Sequence, residues 1–179
     1  GLHGNEPSGV LALSRVFEAF AERQITLQAG EILGLAGNLQ ALQLGQRYIR
    51  QDLNRMWLYD TTEAHLQDYS QPDAESAEYR EITQLLHGAI AGRRGDMIFA
   101  DLHTTSVESI PFVLLGDTLR NRDFVLGVPV PKVLGIEEQL NGPLLSYINE
   151  LGHISMAFEA GSHQSPASVD RHEAFIWLC

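Results

Sequence analysis

The residues His3, Gly4, Asn5 and Glu6 set an imidazole and a carboxylate three positions apart, with Pro7 directly after them. Imidazole nitrogen and carboxylate oxygen both bind zinc well, at about 2.0–2.2 Å. On one tight turn, that spacing can aim both side chains at a single point, and Gly4 allows the backbone a close approach. The same residues also fit a plainer pattern, in which Glu6 answers the positive end of a helix dipole and His3 is a loop residue.

A second group, Asp101-Leu102-His103, closes a short apolar run. A third ligand from a distant strand would complete what a catalytic zinc site needs, three protein ligands and one open position. Asp101 could then orient an imidazole from behind. Alternatively, His103 is a strand-end residue bonded to a backbone carbonyl. Glu159 interrupts another apolar run just before Ala160-Gly161. A half-buried carboxylate there is costly without a partner or a task. General-base work beside an activated water would be such a task, and a salt bridge to an arginine would be such a partner.

Arg47, Arg50 and Arg55 fall close together, with Asn54 beside Arg55. A guanidinium fork suits a carboxylate, and an asparagine adds a directional donor. Arg47, Asn54 and Arg55 therefore read as an anion-binding group, against the alternative of a solvated basic turn, to which Arg50 is assigned.

The elements that must carry these groups are set by periodicity. Val10, Leu13, Phe17 and Phe20 recur at helical spacing after Pro7, with Asn5 a candidate cap. Residues 31–38 read as a buried strand. Residues 73–92 form an amphipathic pattern with Tyr79, Ile82, Leu86 and Ala89 inward and Glu75, Glu78 and Glu81 outward. Strands are expected at 96–103, 111–116 and 153–161, a helix beginning near Pro143, and a final helix after Pro166. Residues 116–135 fit strand or loop. Helices alternating with short apolar strands make an α/β layered sheet, in which ligands bind beyond the strand ends.

The chain has 179 residues and a net charge of -11. So acidic a surface repels phosphates, which argues against nucleic acid and anionic membranes as partners. No apolar run reaches the ~18 residues of a membrane span. The single cysteine, Cys179, makes no internal disulfide, so the cytoplasm is the default compartment. His65, His87, His153, His163 and His172 read as structural or exposed, with His163 nearest the pocket.

The ordered motifs HGNE (3–6), DLNR (52–55), DLHTT (101–105) and FEAG (158–161) resemble the succinylglutamate desuccinylase/aspartoacylase family of the zinc carboxypeptidase superfamily. The resemblance implies a mixed, largely parallel β-sheet sandwiched between helices. It implies one Zn2+ per chain on His3, Glu6 and His103, with Glu159 as general base. Arg47 would polarise the scissile carbonyl, and Asn54 and Arg55 would grip a substrate carboxylate.

The implied activity is zinc-dependent hydrolysis of a small N-acyl amino acid or similar anionic amide. Alternatives are a peptide-cleaving zinc carboxypeptidase and a non-catalytic metal-binding homologue. Residues 1–179 would form a single zinc-hydrolase domain, truncated at both ends, without the family's first strand and its C-terminal β domain; a homo-oligomer stays open. DLHTTS lacks the asparagine that aspartoacylase carries after the histidine, which argues against that particular substrate.

Overall fold

The computed structural model describes residues 1–59, 73–93, 95–136 and 139–179. Its elements run α1 (Ser8–Glu22), α2 (Leu39–Leu44), a 3-10 turn (Leu53–Arg55), α3 (Ala74–Gly92), β1 (Ile98–Thr105), β2 (Phe112–Leu115), α4 (Leu119–Val125), β3 (Lys132–Leu134), α5 (Leu144–Glu150), β4 (Ile154–Ser162) and α6 (Ala167–Leu178).

The four strands form one sheet in the order β1-β4-β2-β3. β1 pairs β4 in parallel and β2 pairs β3 in parallel, while β2 runs antiparallel to β4. The sheet is thus mixed and largely parallel, as expected. Side chains alternate along a strand, so Met156, Phe158 and Ala160 share one face and Ser155, Ala157 and Glu159 the other. The first face builds a core with Leu102, Val113, Leu115 and Phe175. A second core joins Leu53, Trp57, Tyr79, Ile82, Leu86, Leu144 and Ile148 around α3 and α5.

Several expectations need correction. Residues 31–38 form no strand, and Ile32, Leu33 and Leu35 are exposed. An apolar run becomes a strand only when a neighbour takes its backbone donors and acceptors, and no described strand pairs with it. It lies instead along α1, with Gly34 against the Phe17 ring.

In α1, the buried face is Ser8, Gly9, Ala12 and Val16, while Phe17 is exposed. Small residues face inward because α1 lies directly on β1: a Cβ at Gly9 would sit 2.6 Å from the Leu102 Cβ. Pro7 occupies the cap position with no side-chain cap bond, so Asn5 does not cap this helix.

Glu75 points inward, not outward, and is fully buried. It accepts the backbone N–H of Ile49 at 2.6 Å and of Arg50 at 3.2 Å, bonds that compensate its burial. Residues 116–135 contain both α4 and β3. His65 lies outside the described residues. None of the described helices is long and apolar enough to cross a membrane.

Candidate metal and catalytic centre

The turn before α1 is fixed by the close approach that Gly4 permits. A Cβ there would lie 2.0 Å from the Ala41 carbonyl carbon and 2.4 Å from the Gln46 oxygen. The Gly4 N–H donates to the Arg47 carbonyl, and the Glu6 N–H to that of His3. This turn presents His3 and Glu6, both buried, to the end of β1.

There His103 completes a compact group. Glu6 Oε1 lies 2.9 Å from His3 Nδ1, and Glu6 Oε2 lies 3.1 Å from His103 Nδ1. One ligand atom from each residue falls within 4.8 Å of the others. Small side-chain shifts would bring such a set around one ion with bonds of about 2.0–2.2 Å. The Thr104 N–H donates to Glu6 Oε2 at 2.8 Å and fixes that carboxylate against β1.

Each imidazole is held from behind by a carboxylate. His103 Nε2 meets Asp101 Oδ2 at 2.8 Å, and His3 Nε2 meets Asp52 Oδ1 at 3.1 Å. Both Nδ1 atoms therefore face the shared centre. Carboxylate behind histidine is the usual outer arrangement of metal-ligating imidazoles. The donor set fits a divalent cation of the zinc type, with two imidazoles, a carboxylate between them and further acidic groups around.

Sequence reasoning anticipated Asp101 but passed over Asp52. In the sequence Asp52 stands between Arg47 and Arg55, and in the fold it pairs with Arg47. Arg47 donates through Nη2 to Asp52 Oδ2 at 2.9 Å, while its Nη1 lies 3.8 Å from Glu6 Oε1. The one carboxylate joins the arginine to the imidazole.

The electrostatics reflect this geometry. Burial opposes charge on Glu6, but bonds from His103 and His3 outweigh it and hold the carboxyl well below its usual range. Burial likewise opposes charge on Asp52, and the bond to His3 followed by Arg47 overcomes it, so its pKa is also lowered. For His103, burial disfavours the cation, yet Asp101 and Glu6 together raise its pKa.

Glu159 lies in register with His103 across the β1–β4 pair. Its Oε2 is buried with no hydrogen-bond partner among the described residues, so the alternative of a salt bridge to an arginine is not seen at that oxygen. Burial raises its pKa, against the positive pull of His103.

Asn54 and Arg55 sit on the 3-10 turn that comes directly after Asp52. The Asn54 N–H donates to Asp52 Oδ1, and its side-chain Oδ1 accepts from Leu144 N at 2.9 Å. That leaves the amide nitrogen as the group it can offer a ligand. Arg55 is partly buried and donates to the Asn54 carbonyl.

Two histidines outside the ligand set also approach the centre. His163 Nδ1 lies 2.7 Å from Thr104 Oγ1. His172 is wholly buried and bonds the His103 carbonyl. Nothing in its sequence context, the helical stretch 167–178, distinguishes it from a packing residue.

Comparison with known proteins agrees with this picture. The model of the succinylglutamate desuccinylase/aspartoacylase catalytic domain matches residues 1–171. The chain is 30% identical over 163 residues to the curated "Probable aspartoacylase" of Nostoc sp., covering 86% of this chain and 51% of that one. It is 30% identical over 104 residues to succinylglutamate desuccinylase of Pseudomonas paraeruginosa, covering 58% and 29%. The solved structure of succinylglutamate desuccinylase from Chromobacterium violaceum superposes with a TM-score of 0.76 at 21% identity, over 99% of this chain and 56% of that one. The chain thus spans about half the length, or less, of these relatives.

Proposed function

The chain belongs to the succinylglutamate desuccinylase/aspartoacylase family, and from that premise we propose that it is a zinc-dependent hydrolase cleaving the amide bond of a small N-acyl amino acid or a related carboxylate-bearing amide. Residues 1–179 act in this reading as its catalytic domain. The observation that carries it is the Glu6 carboxylate set between His3 and His103, with a Glu159 oxygen that has no partner among the described residues on the same strand pair.

His3, Glu6 and His103 would hold the ion. Zinc in such a site supplies Lewis acidity toward the scissile carbonyl and lowers the pKa of water. The remaining chemistry falls to the protein. Glu159 accepts a proton from the attacking water as the new carbon–oxygen bond forms. It then delivers that proton to the amine nitrogen as the carbon–nitrogen bond breaks, so one residue serves as base and then acid. Arg47, beside Glu6, donates to the oxygen on which negative charge develops. The Asn54 amide and the Arg55 guanidinium bind the substrate carboxylate, which fixes the distance between carbonyl and base.

Elemental analysis of the purified chain, paired with a panel of N-succinyl, N-acetyl and peptide substrates, tests this reading. One zinc per chain and turnover of an N-acyl amino acid are expected. Faster cleavage of a C-terminal peptide bond would make it a carboxypeptidase. Metal binding with no turnover of any substrate would make it a metal-binding homologue.

A further inference from the structure

We propose that His172 is a positioning residue for the candidate metal centre, tying the chain segment that carries His3 and Glu6 to the strand that carries His103. The inference rests on the reading of His3, Glu6 and His103 as metal ligands.

His172 stands on α6, wholly buried and outside the ligand set. Both of its ring nitrogens are engaged. Nε2 lies 3.0 Å from the His103 backbone oxygen, and Nδ1 lies 3.2 Å from Ser8 Oγ. A carbonyl can only accept, so Nε2 carries the proton and donates. Nδ1 of the neutral ring is then an acceptor, and the Ser8 hydroxyl donates to it.

The two partners matter more than the bonds. Ser8 is the first residue of α1 and lies two positions beyond Glu6. The other partner is the peptide carbonyl of His103 itself. One imidazole therefore spans the gap between two segments that are far apart in sequence and that together supply the three candidate ligands. Its ring is rigid, so it sets that gap more sharply than a flexible side chain could. The Phe158 ring meets it edge-on at 5.6 Å and fixes its plane.

Neighbours on α6 act in the same sense on the adjacent strand. Arg171 and Ser168 donate to the carbonyl of Ala160, the residue after Glu159. The helix thus holds the strand ends on which both the third ligand and the base stand. Burying a histidine costs free energy unless its ring nitrogens are bonded, and here both bonds go to the two segments that supply the candidate ligands.

The test compares zinc affinity, by chelator competition, with thermal unfolding recorded in the absence of metal. His172→Phe keeps the ring and removes both bonds, and its zinc affinity should fall about 10–100-fold. His172→Gln keeps a donor toward the His103 carbonyl and should recover part of that loss. Ser8→Ala removes a single hydroxyl and should weaken zinc several-fold, with a changed visible spectrum of the cobalt-substituted protein. Should His172→Phe fail to fold, Ser8→Ala carries the test alone. Variants that lower the unfolding temperature but leave zinc affinity and the cobalt spectrum unchanged would overturn the proposal. Wild-type protein that binds no zinc would instead overturn the ligand assignment on which it rests.

Discussion

His103 and Glu159 stand opposite each other in the parallel β1–β4 pairing, so both side chains leave the same face of the sheet. Just beyond them the register slips: Thr105 pairs with Ser162, giving β4 one extra residue. Such a bulge bends the strand and re-aims the side chains next to it. The pairing brings a candidate ligand and a candidate base together with no contribution from any loop. Glu159→Gln should keep the fold and the bound zinc, because glutamine matches the shape and Glu159 is not in the ligand set. Turnover should drop at least about 100-fold, the lower range for general acid–base catalysis. Metal content and kcat measured on one preparation check this. Near-normal kcat would remove Glu159 from the role of base.

Asp52 and Asp101 each hold the outward nitrogen of one candidate zinc-binding imidazole. Asp101→Asn and Asp52→Asn should each lower zinc affinity about 10–100-fold. The two act on different imidazoles, so the double variant should lose more affinity than either single one. Chelator competition measures all three proteins. Unchanged affinity in both single variants would mean that the imidazoles are oriented by something else.

The sequence made the sheet and the centre legible for different reasons. β1, β2 and β4 are short, largely apolar runs bounded by polar or glycine residues, and each forms close to where it is expected. The centre was readable because its residue types are unusual where they stand, an acid inside β4 and a histidine inside β1 near its end. What misled was burial decided by tertiary neighbours. Residues 31–38 have strand composition but no described partner strand. Glu75 looks like an outward acid of an amphipathic helix, yet it is drawn in by two backbone N–H groups of a remote loop. Asp52 was hidden by its arginine neighbours, and His172 because a histidine on a helix declares nothing until its two partners are known.

Arg47 and Arg55 should fail in different ways when altered. Arg47 donates to Asp52 through both Nε and Nη2, which turns its Nη1 toward Glu6. Lysine has the charge but not the fork. Arg47→Lys should therefore lower kcat, by about 100-fold if the group stabilises the developing oxyanion, with a smaller change in KM. Arg55→Ala should raise KM instead, since it removes a grip on the substrate carboxylate. Steady-state kinetics on the best substrate of the panel separates the two. If both variants changed KM alone, Arg47 would have no special part in the transition state.

Helix α3 supports the centre from a distance, through Glu75 and the segment after Arg47. Asp73 caps this helix, its Oδ1 accepting the Ser76 N–H at 2.8 Å. Two residues on, Glu75 takes the N–H groups of Ile49 and Arg50 and so fixes the segment after Arg47. Asp73→Ala should cost about 1 kcal/mol of stability at neutral pH, the usual value of a lost cap. Burial opposes the charge on Asp73, but the Ser76 backbone bond and its other partners lower the pKa in the folded state. A carboxyl so lowered stabilises the fold above its unfolded value of about 3.9, and that contribution is lost as pH falls through the folded value. The gap in stability between wild type and Asp73→Ala should therefore narrow below about pH 4. Asp73→Asn, which caps without titrating, should show little such change with pH. Denaturant unfolding of the three proteins at pH 7 and pH 3 supplies the comparison. A gap that stayed constant over that range would mean that the carboxylate charge contributes nothing to the cap.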